Sequence, residues 1–111
     1  MIFVSYSHHD AVWLKRFETI FIPLRRYAEV DLWADTRIPP GANWRNEINE
    51  AMDAAFAAVL LVSANFLNSE FIANEELPFI LAAAKARKTE IFWIRLTPCL
   101  IRADWLGISV L

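Results

Sequence analysis

Apolar runs alternate with helix-period patterns along the 111 residues. Ile2-Phe3-Val4-Ser5-Tyr6 reads as a short buried strand. Asp10 stands where a helix cap is expected. Beyond it, Val12, Trp13, Leu14, Phe17, Ile20 and Phe21 give a broad apolar face to a helix over 11–27. Pro23 should kink or end that helix early. Residues 30–33 form a second strand pattern, and 34–42 carry Asp35, Pro39, Pro40 and Gly41, which is loop chemistry. Asn43 is placed to cap a helix in which Trp44, Ile48, Ala51, Met52 and Ala55 recur at helical spacing. The run 57–62 is apolar throughout, the pattern of a strand covered on both faces. A loop over 64–70 leads to a further helical stretch reaching Arg87. Pro78 is tolerated best in a first turn, which predicts a regular helix starting near Asn74 with Glu75, Glu76, Leu77 and Pro78 as its opening turn. Residues 90–96 and 108–111 supply a fourth and a fifth strand.

This rhythm implies an α/β fold: a parallel sheet with right-handed crossovers and helices on both faces. The length fits one domain over 1–111. Composition then narrows the class. Apolar residues make up 57% of the chain, charged residues 22%, and the formal net charge is −2. That excess of apolar residues excludes disorder. The longest apolar run, 54–62, is far short of the roughly 20 residues that span a bilayer, and no basic leader precedes Ile2. Cys99, the single cysteine, has no internal partner and reads as a buried structural thiol, so a cytoplasmic setting is expected. The slightly acidic balance argues against a nucleic-acid surface.

In an open parallel sheet, ligands collect beyond the carboxyl ends of the strands. That rule selects Tyr6, Ser7, His8, His9 and Asp10 after the first strand, and Asp35, Thr36, Arg37, Ile38 and Gly41 after the second. After the third it selects Ser63, Asn65 and Phe66, leading towards Phe71, Glu75 and Glu76. The histidine pair suggests a triad or a metal site only superficially. Sequence adjacency of Ser7, His8, His9 and Asp10 does not give triad geometry, and neighbouring histidines diverge. With only two glycines, Gly41 and Gly107, there is neither a dinucleotide fingerprint nor a P-loop.

Four ordered segments carry a family likeness: Phe3-Val4-Ser5-Tyr6-Ser7, then 33–41, then Leu61-Val62-Ser63-Ala64-Asn65-Phe66, then Glu76-Leu77-Pro78. Together they resemble the successive boxes of a Toll/interleukin-1 receptor (TIR) domain, closest to the bacterial branch. The resemblance implies a flavodoxin-like three-layer sandwich of about five parallel strands. It also implies a choice of function. Some TIR domains cleave NAD+ between nicotinamide and ribose with one glutamate after the third strand, and others are non-catalytic signalling modules that pair with one another. By resemblance the glutamate is Glu76, followed by Leu77 as in the family box. Counting four residues on from the aromatic Phe71 gives Glu75 instead. A carboxylate suits the reaction, because positive charge grows on the ribose as nicotinamide leaves. Placement in a first helical turn would favour the ionised form.

The resemblance further implies that residues 35–43 form the family's BB loop. Arg37 would then meet phosphate, Ile38 would pack on NAD+, and Gly41 would bend the loop. Ile38, Pro39 and Pro40 would make contacts between domains. Tyr6, Ser7, Asp35 and Phe71 would line the pocket. Trp33 ends a strand at the ligand edge, whereas Trp44 lies on an apolar stripe and reads as core. NAD+ would be substrate, with no cofactor and no metal. The implied partners are a second TIR domain and a fused sensor or oligomerisation domain in antiviral defence, with no nucleic acid or membrane involved. The family's closing helix is missing after residue 111, so part of the apolar excess is expected to be interface, with self-association as the result.

Overall fold

The uninterrupted apolar run at 57–62 forms a strand with all six residues buried, because helices cover both of its faces. The computed structural model describes residues 1–38, 40–86 and 89–96 and the backbone of Ser109–Val110. Strands β1 (Ile2–Ser5), β2 (Leu32–Trp33), β3 (Ala57–Val62), β4 (Glu90–Arg95) and β5 (Ser109–Val110) pair in parallel in the order β2-β1-β3-β4-β5. This is the flavodoxin-like order, with its switch point between β1 and β3.

Strand alternation splits the core in two. Phe3, Ala58, Leu60 and Val62 face one layer, together with Ile48 and Met52 of helix α2 (Trp44–Ala54) and Ile80 of helix α4 (Leu77–Lys85). Val4, Val59 and Leu61 face the other, with Leu14 and Phe21 of helix α1 (Ala11–Ala28). Asn43 caps α2 as expected, its side chain accepting from the Arg45 and Asn46 N–H groups. No helix among the described residues is long and apolar enough to cross a membrane.

Several expectations are corrected. Helix α1 does not end at Pro23 but continues to Ala28. Proline removes the hydrogen bond to the Thr19 carbonyl, but both residues are exposed and solvent can satisfy that carbonyl. Its apolar face is wider than the sheet covers, since Val12 is 56% and Ile20 76% exposed. Asp10 precedes α1 without capping it; its carboxylate accepts from Ser63 Oγ at 2.5 Å and Asn65 Nδ2 at 3.1 Å. The second strand is shortened to Leu32–Trp33. Within the expected loop 64–70, Ser63 caps a short helix α3 (Ala64–Asn68) by accepting from the Phe66 N–H. The segment before α4 is not a fresh helix start at Asn74. Helical backbone runs from residue 70, widens into a π turn over Ile72–Glu76 and continues as α4. Cys99, Gly107 and Pro39 lie outside the described residues.

Candidate functional site

Beyond the carboxyl ends of β1 and β2 opens a cleft of about 680 Å³, within the size range of small-molecule sites. Tyr6, Ser7, Asp35, Ile38, Phe71 and Glu76, all named above as candidates, line it.

The π turn decides which glutamate reaches the cleft. In a regular helix the residue four after Phe71 is Glu75. Here the Leu77 N–H donates to the Ile72 carbonyl, an i to i+5 bond that adds one residue to the turn. The fifth residue after Phe71, Glu76, thereby comes round to the side of the aromatic, and both line the cleft. Pro78 gives a local reason for the widening, because in a regular helix its ring would press on the Asn74 carbonyl. Glu75 turns away to an ion pair with Arg45 Nη2 at 3.0 Å.

Glu76 is 3% exposed and accepts a hydrogen bond from Ser5 Oγ at 3.2 Å. Burial, and then the negative charge of Asp35, push its carboxyl up to about 8, against the lowering effect of the Ser5 hydroxyl. The expectation of an ionised first-turn glutamate is thus corrected: burial favours the protonated carboxyl. Glu76 sits within a continuous helical path, away from free N–H groups, and burial prevails. Asp35 lies across the cleft, where His8 Nε2 approaches its Oδ2 at 2.5 Å; its Oδ1 is buried without a hydrogen bond among the described residues. Burial and the neighbouring Asp35 raise the Tyr6 phenol well above its usual range, so it stays protonated. The charge of Asp35 beside the Glu76 carboxyl makes the cleft better suited to a cationic than to an anionic ligand.

Other predicted residues are placed elsewhere. Trp33 is 8% exposed and stacks on Phe3, with ring centroids 5.1 Å apart, inside the core. Parallel register pairs Phe3 with Trp33, which puts both rings on one face of the sheet. Arg37 points to the sheet edge, donating to Asp31 Oδ2 at 2.9 Å and to the Leu32 carbonyl at 2.8 Å. Partial desolvation pulls Asp31 upward, but the bonds from Arg37 and the Leu32 N–H outweigh it and hold the carboxyl below its usual range. Gly41, with φ +80°, forms the left-handed bend of the loop outside the cleft lining. Pro40 is exposed.

The cleft also takes residues that sequence reasoning did not carry forward. Trp44 is not core: it is 37% exposed and meets Phe71 edge-on at 5.1 Å, forming an aromatic wall. Its place at the first position of α2 sets it at the cleft, beside the loop from β2. His8, His9, Thr36 and Ser69 also line the cleft; the sheet-edge rule selects the first three, and no sequence signal marks Ser69.

Comparison with known proteins accords with this architecture. The crystal structure of the TIR domain of the Toll-related receptor TRR-2 from Hydra magnipapillata superposes with a TM-score of 0.73 at 18% identity, covering 98% of this chain and 82% of that one. The uncharacterized protein y4lF of Sinorhizobium fredii (strain NBRC 101917 / NGR234) is 27% identical over 104 residues, which are 94% of this chain. The chain spans 31% of the length of that relative. The family profile of the TIR domain matches residues 2–109, and the chain belongs to the TIR domain family.

Proposed function

We propose that this TIR domain is an NAD+ nucleosidase that cleaves the bond between nicotinamide and ribose. The observation that carries the reading is the placement of Glu76 by the π turn, buried inside a cleft walled by Trp44 and Phe71. Nicotinamide in NAD+ is cationic, and a cation beside Glu76 favours the carboxylate, so binding releases the proton that burial holds on Glu76. The bond then breaks with its electron pair passing to the ring nitrogen, nicotinamide leaves neutral, and positive charge appears on the ribose. The Glu76 carboxylate stabilises that charge until water, or a nucleophile within the same molecule, adds to the sugar, its proton passing to the Glu76 carboxylate. Ser5 orients the carboxylate, Asp35 adds negative potential, and the aromatic wall offers a stacking surface for a flat ring.

Following the family resemblance, this activity belongs in the cytoplasm. It acts through association between TIR domains, with a fused sensing domain supplying the trigger in antiviral defence. Nicotinamide release from NAD+ by the concentrated protein, followed by chromatography, tests the reading. Wild type and Glu75→Gln are expected to release nicotinamide and Glu76→Gln to be silent. Equal release by wild type and Glu76→Gln refutes the assignment, and no release by any of them leaves the non-catalytic interaction module.

A further inference from the structure

Helix α1 carries apolar side chains on two faces, and the sheet takes only one. Leu14 and Phe21 are buried on that first face. At 100° per residue, Val12, Trp13, Ile20, Leu24 and Tyr27 share a sector of about 120° on the other. Ile20 is 76% and Tyr27 82% exposed, Val12 and Leu24 are more than half exposed, and Trp13 is partly buried. Single exposed apolar residues are ordinary, but a strip along most of an 18-residue helix calls for an occupant.

The charges around the strip select that occupant. Arg16 lies within the sector, and Lys15 and Arg26 lie about 40–60° beyond its edge. All three are exposed. Arg16 stands over the Trp13 ring at 4.9 Å, while Arg25 is drawn off to Asp31 at 3.4 Å. The one acid of the helix, Glu18, projects about 180° from the middle of the strip. The strip is therefore apolar with a cationic border, on a chain whose net charge is −2. A second copy would bring the same cations against this border. A layer of anionic lipid headgroups meets them with the opposite charge and takes the apolar side chains beneath it.

We infer that α1 docks this chain on an anionic phospholipid surface, with Val12, Ile20 and Leu24 pressed toward the acyl chains and Lys15, Arg16 and Arg26 on the lipid phosphates. Trp13 and Tyr27 each lie seven residues from Ile20. They stand at the two ends of the strip, where amphipathic rings anchor a helix at the boundary between lipid and water. The long stems of the lysine and arginines let their heads reach the phosphates from the border. The contact is peripheral and needs no spanning helix, in keeping with the described residues. It departs from the expectation that no membrane is involved. Being shallow and partly electrostatic, it is reversible and weakens with salt. The inference does not depend on the proposed chemistry, because α1 covers the opposite face of the sheet from α2 and α4.

Flotation with phosphatidylcholine vesicles, with and without about 30% phosphatidylserine, tests it. The wild type is expected to bind the phosphatidylserine vesicles about tenfold or more tightly than phosphatidylcholine alone, and to come off at about 1 M salt. Lys15→Glu and Lys85→Glu change the net charge alike, but Lys85 is exposed on α4, across the sheet. The first should weaken binding about tenfold and the second by less than about twofold. Ile20→Ser should also weaken it, with an unchanged thermal melt because residue 20 is exposed. In a Cys99→Ser background, which removes the native thiol, an environment-sensitive fluorophore on Ile20→Cys should shift to the blue when vesicles are added. On Ile22→Cys, about 140° from the middle of the strip, it should not. Equal binding to both vesicle types, equal effects of Lys15→Glu and Lys85→Glu, or equal shifts at positions 20 and 22 overturns the inference. So does a chain that ignores the vesicles, whether it stays monomeric or pairs with itself through residue 20.

Discussion

Glu76→Gln should produce a more stable protein at neutral pH while removing the carboxylate that the proposed reaction needs. The Glu76 carboxyl titrates near 8 in the folded chain, against an ordinary value of 4.5. A group whose folded value is raised contributes stability that is fully present below its unfolded value and lost as pH climbs to the folded value. Each pH unit in that window is worth about 1.4 kcal/mol. At pH 7 the accumulated loss is about 3 kcal/mol, which glutamine avoids because it never ionises in either state. It also keeps an oxygen to accept the Ser5 hydroxyl. For a domain of this size the gain corresponds to a rise of about 10 °C in melting temperature. Thermal denaturation at pH 4 and pH 7 measures it: the variant and wild type should nearly coincide at pH 4 and separate at pH 7. A variant no more stable than wild type at pH 7, or an offset equal at both pH values, would refute the claim that this carboxyl is buried at a cost.

Two further outcomes follow from the same structure. Asp10→Ala removes the acceptor of two side-chain donors, one of them in the buried Ser63, and should destabilise the fold by about 2–3 kcal/mol. A fall in the urea midpoint at constant slope would show this, and a change below about 0.5 kcal/mol would contradict it. Arg37→Ala should leave KM for NAD+ within about twofold of wild type, since its guanidinium faces Asp31 and Leu32; a rise of tenfold or more would place it back on phosphate.

The sheet, its parallel sense and its two covering layers were legible because apolar period and length carry them: six buried residues at 57–62 cannot be read in many ways. The choice between Glu75 and Glu76 was not legible from helical periodicity. It turns on one extra residue in a helical turn, and only the conflict among Phe71, Pro78 and Leu77 hints at it. The two tryptophans illustrate a different limit. Both flank the same loop, and which one enters the core depends on strand register, since Trp33 aligns with Phe3 while Trp44 sits one residue after a helix cap. Asp10 has the sequence look of a cap, but its partners come from 53 and 55 residues away. A long-range polar contact leaves no local trace.

The engagement of Arg37 has a consequence for how the chain avoids the wrong kind of association. Asp31 gives its backbone carbonyl to Ile2 on β1, so the N–H and C=O of Leu32 are turned outward, along the open side of the sheet. Neither is left bare: the N–H donates to Asp31 Oδ1 and the carbonyl accepts from Arg37 Nη1. Two side chains thus occupy the positions that an incoming strand would need for its first ladder bonds. In a chain this apolar, a bare edge would be a template for amyloid-like stacking. Two charged residues act as a plug there, closing that edge to a further strand.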